Sequence, residues 1–190
     1  MARALTPWVT LGLVALLLCA AGIPDAAALE YDARRVATEP WRLLTSQLVH
    51  WSPTMLAADV LLAGIAGAIV ERRSRALAVL ALALGVAASG IAMRVSDLAR
   101  YRGSSGIGTA LFVAGGLELA VRGASMPTRL AGIGALVVGA LKLALEGSGA
   151  PATLPQGVTT ATAVHVAGVV AGAAAWTTLR LARRVYSAGP

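Results

Sequence analysis

Residues 103–121 read Gly-Ser-Ser-Gly-Ile-Gly-Thr-Ala-Leu-Phe-Val-Ala-Gly-Gly-Leu-Glu-Leu-Ala-Val. One charged residue, Glu118, falls between Ser104 and Val121, and arginines bracket the run on both sides. A stretch of this length, apolar and uncharged but for one residue, is long enough to cross most of a bilayer as a helix. Five more runs of the same kind flank it: Pro7–Ala28, Ser52–Val70, Ala76–Met93, Leu130–Leu145 and Val158–Leu179. Their connections are Asp25–Trp51, Glu71–Arg75, Arg94–Gly103, Arg122–Arg129 and Glu146–Gly157, none long enough to hold a soluble domain.

The whole composition agrees with that reading. Of 190 residues, 57% are hydrophobic and only 13% charged, about half the charge of an ordinary soluble domain. Mean hydropathy is +0.75. Ten-residue alternating segments, the mark of a membrane β-barrel, are missing from the pattern. The net charge of +7 does not point to nucleic acid, because the arginines stand at segment ends and aromatics are only 4%. The expected fold is therefore all-α and polytopic, a bundle of six transmembrane helices forming one membrane domain over residues 1–190.

The first run has a rival reading. Arg3 before it, and Asp25 followed by three alanines after it, also fit a cleaved signal peptide; the run exceeds the usual signal core of 7–15 residues, which favours six spans. Cys19 stands alone, so it forms no intramolecular disulfide, and a buried thiol is expected. With the N-terminus inside, nine arginines (Arg3, Arg72, Arg73, Arg75, Arg122, Arg129, Arg180, Arg183 and Arg184) fall on the inner side. Six (Arg34, Arg35, Arg42, Arg94, Arg100 and Arg102) fall outside. That bias favours both termini in the cytoplasm.

Ionisable groups inside spans are costly and mark sites unless paired or wetted. Lys142 lies near a span end and can snorkel, and Glu71 can pair with Arg75 one turn on. Asp59 and His165 each lie seven residues below the outer start of their segments, roughly 10 Å deep. If the turn Gly103-Ser104-Ser105-Gly106 shares that level, Glu118 falls about 20 Å further in, near the inner interface. Asp59, Ser105 and His165 then occupy one plane. Segment 4 must start sunken, with Arg94–Gly103 dipping inward beside a water-filled cavity open to the outside. The pair Gly168-x-x-x-Gly172 would let two helices approach closely there.

At these residues the chain resembles the rhomboid family of intramembrane serine proteases. Gly103-Ser104-Ser105-Gly106 fits the family's G-x-S-G nucleophile motif, and His165-x-x-Gly168-x-x-x-Gly172 fits its sixth helix. The segment from His50 to Asp59, followed by Gly67 and Glu71-Arg72, looks like its second helix and the entry to it. Trp41-Arg42-x-x-Thr45 looks like the W-R-x-x-T upstream. The short six-helix form is most similar to the rhombosortase branch, thought to cleave Gly-rich C-terminal sorting tails of secreted bacterial proteins. The resemblance implies a bacterial inner-membrane enzyme facing outward, membrane-anchored substrates with a C-terminal transmembrane tail, the lipid bilayer as its medium, and no cofactor, metal or nucleic acid.

It also implies roles. Ser105 would attack the peptide carbonyl while His165 takes and returns the proton. Gly103, Gly106, His50 and Asp59 would shape the oxyanion site and cavity. The sequence departs from the family at the oxyanion pair of helix 2, where Met55 and Asp59 stand for His and Asn. Thr109 stands where the family has a tyrosine that packs on the histidine. Asp59 would act as a protonated donor or as a structural acceptor. From local chemistry alone, Ser105 also reads as a helix N-cap, as does Ser104, and His165 as a packing residue bonded to Thr109 or Thr162. A fold that binds membrane clients without cutting them is the second reading. A small proton-coupled transporter using Asp59 and His165 is the third, without a visible inverted repeat to support it.

Overall fold

The computed structural model describes residues 6–148 and 161–187, with the side chains of 186 and 187 left aside. Seven helices carry the fold: α1 (Trp8–Ala20), α2 (Arg42–Thr45), α3 (Pro53–Arg73), α4 (Arg75–Val95), α5 (Ser105–Arg122), α6 (Met126–Gly147) and α7 (Thr162–Ser187). Two-residue strands β1 (Tyr31–Asp32) and β2 (Arg100–Tyr101) pair antiparallel, Tyr31 opposite Tyr101. Helices α3, α4, α6 and α7 are long and apolar enough to cross a membrane.

The helix ends follow from local chemistry. Ser52, Ser74 and Ser125 each cap a helix by accepting a backbone N–H three residues on, and proline occupies the first turn of α3 and α6. Those positions lack intrahelical acceptors for their N–H groups, which is why serine and proline suit them. Between α3 and α4 only Ser74 leaves the helical conformation.

Packing is inside-out relative to a soluble protein. On α3 the buried apolar side chains are Ala63, Ala66 and Val70, while Leu61 and Ile65 are exposed. On α6 only Gly132 is buried, and Val137, Val138 and Leu141 face outward. Lipid is as apolar as leucine, so large side chains gain nothing by turning inward and small ones let backbones close up. Helix α5 is the centre: ten of its residues are buried, four of them glycine or alanine between Gly106 and Ala114, and it packs on α3, α4, α6 and α7.

Several expectations change. The first run folds as only 13 helical residues, ending at Ala20; Asp25 then caps a short 3-10 turn, Ala26–Ala28. Gly22 and Pro24 account for the break, since neither sustains a helix. Cys19 is exposed on α1 rather than buried. Helix α6 runs Met126–Gly147, so Glu146 belongs to its last turn and not to a loop. Helix α7 continues to Ser187, two turns beyond Leu179. The remainder of the Pro-rich connection, the start of segment 6 at Val158, and Arg3 lie outside the described residues.

The long connection after α1 is an ordered layer over one end of the bundle. Buried Arg42 donates to the carbonyls of Ala27 (3.0 Å) and Glu30 (2.8 Å), and Thr45 Oγ1 donates to Leu29 O (2.7 Å). Glu30 holds Arg100 and, at 2.7 Å, Arg102, and both guanidiniums lie against the Trp51 ring. At the opposite end, Glu71 accepts from the Val9 and Thr10 backbone N–H groups (3.0 and 2.8 Å) and from Thr10 Oγ1. It also pairs with Arg75, as expected, at 3.2 Å. Glu118 is buried at that same end, where it accepts from Trp176 Nε1 (3.1 Å) and faces Arg122.

Candidate active site

Ser105 opens α5, and its position is set from two sides. Gly103 precedes it with φ +138°, a conformation that side chains other than glycine's rarely adopt. The Gly103 N–H donates to Ser46 O (3.0 Å), tying the turn to the covering layer. The Ser104 N–H donates to Asp59 Oδ2 (2.7 Å), which also accepts from Ser104 Oγ at 3.2 Å and meets His50 Nε2 at 3.0 Å. Ser104 is therefore turned inward, 1% exposed, and its side chain makes no helix cap. Ser105 is thereby left to face α7.

There Ser105 Oγ lies 2.9 Å from His165 Nε2. The approach is possible because α5 and α7 touch backbone to backbone. A Cβ built on Gly168 would stand 2.4 Å from Gly106 O, and one on Gly172 would stand 2.3 Å from Ala110 O. Residues 165, 168 and 172 share one helix face, so the contact that needs glycine also aims the histidine. A serine hydroxyl within reach of an imidazole nitrogen has the geometry of a nucleophile beside its base.

Asp59 reaches neither Ser105 nor His165 through the hydrogen bonds of this site; it holds the turn beside them. Arg102, close by in sequence, is engaged by Glu30 and not by Asp59. Thr109 bonds its own helix, Oγ1 donating to Ser105 O at 2.7 Å, and so does not hold His165. Two neighbours of the pair went unread in the sequence. Tyr101, from β2, puts its hydroxyl 3.3 Å from Ser105 Oγ, and burial pushes the phenol well above its ordinary pKa, which keeps it protonated. Glu146 Oε2 lies 2.7 Å from His165 Nδ1, with Lys142 one turn back paired to the same carboxylate.

A family profile described as Rhomboid domain matches residues 37–182, most of the chain. The chain belongs to the rhomboid family. No curated protein matches it. Rhomboids are serine intramembrane proteases that act on membrane proteins within the bilayer, and this rhomboid is a multi-pass membrane protein. The matched region runs from α2 into α7 as far as residue 182 and takes in Asp59, Tyr101, Ser105, Glu146 and His165.

Proposed function

We propose that this rhomboid is an active intramembrane serine endopeptidase in which Ser105 is the nucleophile and His165 the general base. The observation that carries the reading is the 2.9 Å approach of Ser105 Oγ to His165 Nε2 at the start of α5. Attack by Oγ on a substrate carbonyl transfers the hydroxyl proton to Nε2, and the imidazolium returns it to the leaving amine. Water then hydrolyses the acyl-enzyme with the histidine again as base. The oxyanion develops beside the first turn of α5, whose N–H groups lack intrahelical acceptors and carry the positive end of the helix dipole. The Ser104 N–H is already given to Asp59, and His50 Nε2 also faces that carboxylate. This leaves the Ser105 N–H as the main donor, with Asp59 as the acceptor that fixes the turn.

In the fuller reading, one domain crosses the bacterial inner membrane six times, with both termini cytoplasmic and the serine opening outward. Its substrates are secreted proteins bearing a Gly-rich C-terminal tail, as in the rhombosortase branch. A fluorophosphonate probe tests the chemistry: labelling is expected in the wild type and lost in Ser105→Ala. Co-expression with Gly-rich tails, scored for a Ser105-dependent size shift, tests the substrate class. A second reading, a rhomboid that binds clients without cutting, is favoured by Met55 and Thr109 at family positions. Absent labelling in a folded wild type would select it.

A further inference from the structure

We infer that Glu146 is a positioning residue that completes a serine–histidine–glutamate relay, a role that rests on the protease reading above. The carboxylate accepts and does not donate, so at 2.7 Å from His165 Nδ1 it requires the proton of a neutral imidazole to sit on Nδ1. Nε2 is then the bare nitrogen, and it is Nε2 that lies 2.9 Å from Ser105 Oγ, ready to accept from the hydroxyl. The tautomer needed for general-base action is thus selected by a residue on a third helix. Once the imidazolium forms, the same carboxylate offsets its charge.

The placement is specific. Glu146 is in the last turn of α6, a helix that packs mainly on α5 and also meets α7. Its side chain is only 13% exposed and His165's 12%, so the bond is shielded from water. Lys142, 62% exposed, pairs with the other carboxylate oxygen from one turn back along α6 and so helps to orient the group. No other acidic side chain bonds His165 among the described residues: Asp59 is committed to His50 and Ser104, and Glu118 to Trp176 at the far end of the bundle.

The test compares Glu146→Leu, Glu146→Gln and the wild type, with a fluorogenic transmembrane peptide as substrate and a fluorophosphonate as active-site probe. Loss of an aligned carboxylate from a serine–histidine pair can cost up to about 10⁴-fold in kcat. With the neighbouring hydroxyl of Tyr101 retained, Glu146→Leu is expected to lower kcat about 10²-fold, leaving KM and the melting temperature near wild type. Glu146→Gln keeps an acceptor oxygen and should recover part of the loss. The second readout needs no turnover. The chain has two histidines, so ¹⁵N-histidine labelling of Ser105→Ala protein isolates a downfield Nδ1–H resonance of His165. It should vanish in Glu146→Leu and in His165→Ala. Wild-type kcat in Glu146→Leu, or no such resonance in folded Ser105→Ala protein, overturns the inference. A protein that shows the resonance but never labels upholds the Glu146 contact and refutes the protease reading instead.

Discussion

Gly168→Ala isolates what brings the serine and histidine together. The added Cβ would stand 2.4 Å from Gly106 O and 2.9 Å from Thr109 Cβ, whereas ordinary contact begins near 3.4 Å. The first obstacle is backbone, which cannot rotate aside as a flexible side chain can. Relief requires α7 to move off α5 by about 1 Å, the gap between 2.4 Å and the 3.4 Å of ordinary contact. His165 is three residues away on the same face and moves with the helix. Its Nε2 starts 2.9 Å from Ser105 Oγ, so the separation rises to nearly 4 Å, beyond hydrogen-bond range.

A misplacement of about 1 Å at reacting atoms costs on the order of 10²-fold in rate. The assay is kcat/KM on a fluorogenic transmembrane peptide in vesicles, with circular dichroism to establish that helix content is retained. Gly134→Ala is the control, because a Cβ there meets nothing within 4 Å. It should leave the rate unchanged. Wild-type kcat/KM in a folded Gly168→Ala protein, or an equal loss in Gly134→Ala, would refute the argument that backbone contact sets the pair.

Ser105→Ala should abolish cleavage and probe labelling, whereas Ser104→Ala should keep most activity while melting lower, since Ser104 is buried on Asp59; labelling that survives Ser105→Ala and fails in Ser104→Ala would reverse the assignment. Asp59→Ala leaves the Ser104 N–H without its acceptor, at a cost of about 1–3 kcal/mol, and should lower both melting temperature and rate; Asp59→Asn retains an acceptor oxygen and should lose less. An unchanged melting temperature in Asp59→Ala would count against the structural-acceptor role. Alkaline phosphatase fused after Pro190 should be inactive if the C-terminus is cytoplasmic, and strong activity would overturn that orientation.

The pair was legible through the resemblance: Gly103-Ser104-Ser105-Gly106 and His165-x-x-Gly168-x-x-x-Gly172 fit the family's motifs in order. Local chemistry alone leaves Ser105 as a helix cap and His165 as a packing residue. What stayed hidden depended on partners far along the chain or on a boundary that apolar runs do not reveal. An apolar run measures lipid thickness, whereas a helix continues until its backbone is stopped. Helix α6 therefore carries Glu146 one residue beyond Leu145, where the run ends, and that extension brings the carboxylate to His165. Tyr101 reaches Ser105 from a two-residue strand paired with residues seventy positions earlier, too short for any periodicity to register. Cys19 was misplaced for a different reason: lipid and protein interior are equally apolar, so a run of leucines does not say which of its faces is covered.

The polar groups of the described bundle are divided between its two ends, and the division separates two jobs. Glu71 fastens α1 to α3, and Glu118 joins α5 to α7 through Trp176, both at the end away from Ser105. Glu30, Arg42 and Asp59 fasten the covering layer and the Gly103–Ser105 turn at the other end. Between Gly106 and Ala110 the approach of α5 to α7 is backbone against glycine, and the carboxylate that also links these two helices, Glu118 to Trp176, lies at the far end. Coulombic clamps near water tolerate small shifts, since the energy of a pair varies slowly with separation at high dielectric. Backbone contact does not, because repulsion rises steeply within a few tenths of an ångström. The distance that matters to the chemistry is therefore governed by the stiffer interaction, and the charged residues are left to hold the ends of a bundle whose spacing they do not set.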